Sequence, residues 1–262
     1  MKYDNLFKLK DKVAVVTGGV GLIGKELVRG LAEAGAIVVL AEINAHKGKE
    51  IADKFTRSGL NIVFQYVDIS KEQAIADLIK SIERKYDRID IWINNAYPKT
   101  EDWETDFEAI KLASWKRNID MHLNGYFISC KMAAESMKKR RSGSIINLAS
   151  IYGFLGPDFS IYEGTKMTVP AAYSVIKGGI MNFTRYLASY YAKYNIRVNC
   201  ISPGGVYNKQ PEAFVKRYEK KVPLGRMAKA GDIVGSAIYL SSDAAEYITG
   251  QNIIIDGGFS II

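Results

Sequence analysis

Seven short apolar runs punctuate the chain, at Lys12–Thr17, Ala36–Ala41, Asn61–Val67, Arg88–Asn94, Ser144–Ala149, Ile196–Ile201 and Asn252–Ile255. Several are continuously apolar rather than alternating, the pattern required of parallel strands covered on both faces. The segments between them have helical period, as in Lys25–Ala34 with Leu27, Val28 and Leu31 on one side. Strand and helix alternating from the start predict right-handed βαβ units and a doubly wound α/β sheet, mostly parallel and seven-stranded, with helices on both faces. No linker, repeat or low-complexity tract interrupts this order, and the six prolines are scattered singly, so residues 1–262 are expected to form a single domain. Sheets of this kind bind ligands beyond the carboxyl ends of their strands.

The first such end carries Thr17-Gly18-Gly19-Val20-Gly21-Leu22-Ile23-Gly24, followed by a helical segment. Gly19, Gly21 and Gly24 satisfy the G-x-G-x-x-G spacing, in which missing side chains allow a tight turn, close approach of backbone to a pyrophosphate and close helix packing. Turn glycines alone can produce that spacing. Its context adds weight, because Glu42 ends the second strand 18 residues after Gly24, where a ribose 2′-hydroxyl needs an acceptor. These features predict a Rossmann dinucleotide site. A carboxylate there accepts from NAD and repels the 2′-phosphate of NADP, so NAD is the expected cofactor, although Lys47 and Lys49 lie near enough in sequence to rescue NADP.

Composition narrows the classes further. An excess of 36 Lys+Arg over 28 Asp+Glu, a formal charge of +8, would suit an acidic substrate or a polyanion. The densest run, Lys138–Arg141, reads instead as the solvated cationic end of a helix. Without zinc-finger spacing or a basic helix with interleaved aromatics, no nucleic-acid partner is expected. Two cysteines, Cys130 and Cys200, and two histidines, His46 and His122, support neither a disulfide framework nor a metal site, and they suit a reducing cytoplasm. No run approaches the roughly 20 apolar residues of a membrane span. The charged start Met1–Lys12 carries no leader pattern.

Candidate chemistry lies in Tyr173-Ser174-Val175-Ile176-Lys177, at the head of a helical segment running to about Tyr194, where residues four apart share a face. A phenol needs a neighbouring cation to titrate towards neutrality, and Lys177 can provide it. Tyr162 and Lys166 repeat the spacing eleven residues earlier. Taken in order, the Thr17–Gly24 loop, Val67-Asp68-Ile69, Asn94-Asn95-Ala96, Gly143–Ser150, Tyr173 with Lys177, Arg197-Val198-Asn199, Ser202-Pro203-Gly204 and Asp256-Gly257-Gly258 closely resemble the short-chain dehydrogenase/reductase family over nearly the whole chain.

That resemblance implies Tyr173 as general acid/base, Lys177 as its modulator and a donor to the nicotinamide ribose, and Ser150 on the substrate oxygen. Cofactor contacts would come from Gly18, Gly19, Gly21, Leu22, Ile23, Gly24, Glu42, Asp68, Ile69, Asn94, Ala96, Tyr173, Lys177, Pro203, Gly204, Val206 and Asn208. Spacing to the strand Arg197–Ile201 favours Tyr173 over Tyr162. Two bland readings stay open: Asp68 as a cap for the helix near Ser70, and Ser150 as a loop serine. The chain also departs from the family pattern. Leu22 stands where glycine is usual, a spacing nearer the extended branch that handles nucleotide sugars. Tyr97 replaces a glycine, and Asn208 a threonine. Through the anchors Trp115 and Leu123–Phe127, His122 falls at the family's catalytic asparagine, where an imidazole titrating between about pH 5 and 8 would relay protons or merely pack.

Together these imply a homo-oligomeric oxidoreductase, dimer or tetramer, that uses NAD to interconvert a secondary alcohol and a ketone. The long interval Ser150–Tyr173 is expected to build the substrate pocket, and with its Tyr-Glu-Gly-Thr-Lys run resembles a subgroup from bacterial surface-sugar and flagellin-glycan pathways, implying a small sugar-derived substrate. Rival readings are a non-catalytic NAD-binding sensor and an epimerase or dehydratase using transient oxidation.

Overall fold

The computed structural model describes residues 5–262; Met1–Asp4, part of the start read as lacking a leader, lie outside the described residues. The apolar runs become seven parallel strands: β1 (Val13–Thr17), β2 (Ile37–Glu42), β3 (Ile62–Tyr66), β4 (Ile91–Asn94), β5 (Gly143–Leu148), β6 (Ile196–Pro203) and β7 (Asn252–Ile255). Their order is β3-β2-β1-β4-β5-β6-β7, with Val15 of β1 opposite Val39 on one side and Trp92 on the other.

Continuous apolarity in β1 has a direct cause. Val13 and Val15 enter one buried layer while Ala14 and Val16 enter the other. The first layer is closed by α3 (Glu72–Tyr86), α5 (Gly125–Lys138) and α6 (Ala171–Tyr191), the second by α1 (Leu22–Glu33), α2 (Ala45–Arg57) and α8 (Val234–Ser241). Both faces of the sheet's centre are therefore dry, as a parallel sheet requires, while the edge strands β3 and β7 are only partly covered. The chain winds outward in opposite directions from β1 and β4, so a crevice opens between their carboxyl ends.

Two irregular regions shape that crevice. Between α4 (Leu112–Asn118) and α5 the helix passes without a break through a π-helical turn, Ile119–Asn124, which contains His122. Such wide turns concentrate at functional sites. A third apolar cluster lies outside the two layers: Ile161 from the Ser150–Tyr173 interval packs with Phe214 and Tyr218 of α7 (Glu212–Lys220) and with Val222 and Met227. Among the described residues no helix is long and apolar enough to cross a membrane.

Candidate active site

A cavity of about 700 Å³ runs along the carboxyl ends of the strands, from the glycine loop to the third cluster. At its first end Gly18 adopts φ +67°, and a Cβ there would lie 2.7 Å from Ala96 Cα, so the tight turn admits only glycine. A Cβ on Gly24 would overlap the Gly18 carbonyl oxygen. Helix α1 starts at Leu22 with no capping side chain and no acid in its first turn, leaving its leading N–H groups for an anion. Glu42 is buried, its carboxylate accepting from the amides of Ile43 (3.0 Å), Asn44 (3.1 Å) and Val20 (3.4 Å). A backbone cradle beside a fixed carboxylate fits a dinucleotide.

Most positions implied by the resemblance do line this cavity: Gly18, Gly21, Leu22, Ile23, Gly24, Glu42, Asp68, Ile69, Ala96, Pro203, Gly204 and Val206, with Ser150, Tyr173 and Lys177 farther along. Asp68 also accepts from the amide (2.9 Å) and hydroxyl (2.7 Å) of Ser70, so its local turn role coexists with its place on the wall.

Four of the implied positions do not line this cavity. Gly19 faces the sheet, where a Cβ would sit 2.6 Å from Leu40 Cγ; its smallness serves helix packing rather than the cavity. Asn94 is buried beneath the floor, accepting from Trp92 Nε1 and donating to Asn147 Oδ1, both at 2.8 Å. Its neighbour Asn95 lines the cavity and donates to the carbonyls of Thr17 and Gly18, because the strand ends between the two and directs them oppositely. Asn208 is exposed, and its amide donates to Gln210 Oε1 at 2.7 Å; Gln210 stands on the wall instead. His122 is fully buried behind Lys177 and does not reach the cavity surface. Lys47 and Lys49 line no part of it.

Lys177 is held by its Nζ donating to Leu148 O at 2.6 Å, with His122 Nε2 at 3.5 Å. The rings of Tyr126, Tyr173 and Tyr97 surround it at 5.6, 5.7 and 5.8 Å from Nζ. Burial pulls this amine down to about 7. The same burial, with the Lys177 charge, drives the imidazole of His122 well below its usual range, which favours the neutral ring. Its Nδ1 has no partner among the described residues. Burial raises the Tyr173 phenol, with the Ser150 hydroxyl acting in the opposite direction.

Ser150 is buried, its Oγ accepting from the Tyr152 amide at 3.2 Å. Tyr97 meets Tyr173 and His122 edge-on at 5.7 and 5.3 Å between ring centres, so the glycine-to-tyrosine departure builds a wall over the Tyr173–Lys177 pair. Tyr162 closes a short 3-10 turn, Phe159–Tyr162, rather than heading a helix, and pairs with no lysine; its hydroxyl lies 3.0 Å from that of Tyr152. Sequence reading missed Tyr152, Met167, Gln210, Phe214, Tyr218 and Met227 as wall residues. Phe214 and Tyr218, four apart on α7, read as an ordinary apolar helix face, and only the fold turns that face onto the cavity.

A family model described as enoyl-(acyl carrier protein) reductase matches residues 21–260. The chain is 32% identical to post-translational flagellin modification protein A of Campylobacter coli, over 97% of this chain and 100% of that protein. A solved short chain dehydrogenase from Leptospira borgpetersenii with bound NAD+ is 34% identical, with TM-score 0.85 over 100% of this chain and 97% of the other. A gluconate 5-dehydrogenase from Burkholderia cenocepacia, solved with NADP and tartrate, is 28% identical, with TM-score 0.89 and 98% of each chain covered.

Proposed function

We propose, for a chain that belongs to the short-chain dehydrogenase/reductase family, the reversible interconversion of a secondary alcohol and its ketone, with NAD preferred to NADP. The observation carrying this reading is the convergence of Ser150, Tyr173 and Lys177 on a cavity whose other end is the glycine loop and Glu42. A bound nicotinamide supplies the hydride chemistry. The chain's residues supply the rest. Tyr173 Oη exchanges the proton of the reacting hydroxyl, and burial favours its protonated form, the one that donates to a carbonyl. Ser150 Oγ orients the same oxygen. Lys177, anchored on Leu148 O, sets a cation beside the Tyr173 ring that favours the phenolate when the proton leaves. Behind it, His122 takes the place of the family's asparagine in a proton path leading from Lys177.

Support for NAD is the fixed carboxylate of Glu42, with which a 2′-phosphate would collide in charge. The similarity to flagellin modification protein A supports a sugar-derived substrate. We further take residues 1–262 as one catalytic domain, acting in the cytoplasm as a homo-oligomer. Sugar alcohols and keto-sugars, screened by NADH absorbance with both cofactors, are expected to give higher kcat/KM with NAD. Tyr173→Phe is expected to lose ~100-fold or more in turnover while NAD affinity holds. An equally active Phe variant, or preference for NADP, overturns the corresponding assignment.

A further inference from the structure

We propose that the substrate of this site is an uncharged ring compound, lying against tyrosine faces and read by the paired hydroxyls of Tyr152 and Tyr162. This rests on the hydride-transfer reading above and narrows it.

Among the described residues lining the cavity, only Glu42, Asp68 and Lys177 carry formal charge. The two acids belong to the nucleotide end, and Lys177 is bonded to Leu148 O. Beyond them the chamber is walled by Tyr97, Tyr152, Tyr162, Met167, Phe214 and Met227. Several basic side chains on neighbouring segments are engaged elsewhere, Arg217 on the carbonyl of Glu163, Lys221 on Asp158, Lys99 on Glu104 and Arg226 on Asp232, while Lys166 and Lys209, beside the wall residues Met167 and Gln210, are exposed and do not line the cavity. Apart from Lys177, no side chain contributing to the formal charge of +8 lines the chamber among the described residues. A phosphate or carboxylate entering it would lose its hydration without gaining a countercharge.

What the chamber offers is aromatic surface with a polar edge. Tyr152 and Tyr162 are half-buried with their oxygens 3.0 Å apart. One O–H serves the bond between them; the other, with the free lone pairs, can donate to and accept from a substrate hydroxyl. Tyr162 is braced by Phe214 at 5.1 Å between rings, so the pair is set before the ligand arrives. A flat-sided ring bearing a second hydroxyl beside the reacting carbon satisfies both features.

The test compares matched ring compounds on the full-length protein with NAD: trans-1,2-cyclohexanediol against cyclohexanol, and 1,5-anhydroglucitol against its 6-phosphate. Turnover is read as kcat/KM and binding as the melting-temperature shift with NAD present. The neutral sugar is expected to exceed its phosphate by ~100-fold in kcat/KM, and the diol to exceed the mono-ol by ~5-fold. Tyr162→Phe is expected to bring the diol-to-mono-ol ratio near one. A phosphate bound and turned over as well as its neutral partner overturns the proposal and leaves hydride transfer standing. Neutral rings that stabilise the protein selectively yet are never oxidised, nor their ketones reduced, uphold the chamber's preference and remove hydride transfer. No stabilisation by, and no turnover of, any neutral ring overturns the proposal, as does a diol preference indifferent to Tyr162→Phe.

Discussion

At the scale of single residues, the site is governed by a buried amine with no carboxylate to meet it. Lys177 titrates near 7 in the folded chain against roughly 10.4 for a free lysine, so between these values the unfolded chain binds the extra proton and stability rises with pH. Below 7 the penalty of the buried charge is fully present. Lys177→Met is therefore expected to melt higher than wild type at pH 6, with the gap closing as pH rises towards 10; a constant gap in melting curves would mean that the amine is not desolvated as described. His122 makes a complementary prediction. Because burial and the Lys177 charge push its imidazole towards the neutral form, His122→Asn is expected to keep both substantial turnover and the shape of the wild-type pH–rate profile. His122→Leu, which cannot pass a proton, is expected to slow turnover by ~10-fold or more without loss of NAD affinity. Equal rates in the two variants would reduce His122 to packing.

Among the elements, the cap formed by the Ser150–Tyr173 interval and α7 decides the shape of the chamber. Its position depends on Gly205, where a Cβ would lie 2.7 Å from the Tyr218 ring and whose amide donates to the Tyr218 hydroxyl. Gly205→Ala is expected to push α7 outward, raising KM for the alcohol substrate several-fold more than KM for NAD; parallel changes in the two constants would contradict that hinge point. The elements were also the most legible part of the sequence. Each of the seven apolar runs contains a strand, most plainly in the central ones such as β1 and β4, where every position is buried, while the edge strands β3 and β7 are only partly covered. Side-chain direction at strand ends was not legible: Asn94 and Asn95 look equivalent in sequence, and only the last residue in register, Asn94 opposite Asn147, tells which one turns inward. Nor does the chain advertise that the helix around His122 widens into a π turn, since that depends on tertiary packing.

For the whole molecule, the expected partner is a second copy. Phe127 and Phe183 of α5 and α6 meet at 5.9 Å, and the row continues through Tyr186 and Tyr190, which are 62% and 52% exposed. Light scattering at micromolar concentration is expected to give a dimer or tetramer, and Tyr186→Glu to shift it to smaller species; a wild-type monomer would refute this. Phe259, by contrast, finds its partner within its own chain, stacked on Tyr218 at 4.9 Å between ring centres. The parallel topology has a consequence for how the chain reaches this state. Without an antiparallel strand pair among the described residues, no pairing can begin as a local hairpin, and the central contact of β1 with β4 joins Val15 to Trp92, 77 positions apart. High contact order of this kind makes folding slow. The glycine loop and Glu42 need strands β1 and β2 and the end of β4, where Asn95 holds the Thr17 and Gly18 carbonyls, whereas Ser150, Tyr173 and Lys177 must wait for the second half of the sheet. A nascent chain therefore acquires its nucleotide cradle well before it can do chemistry.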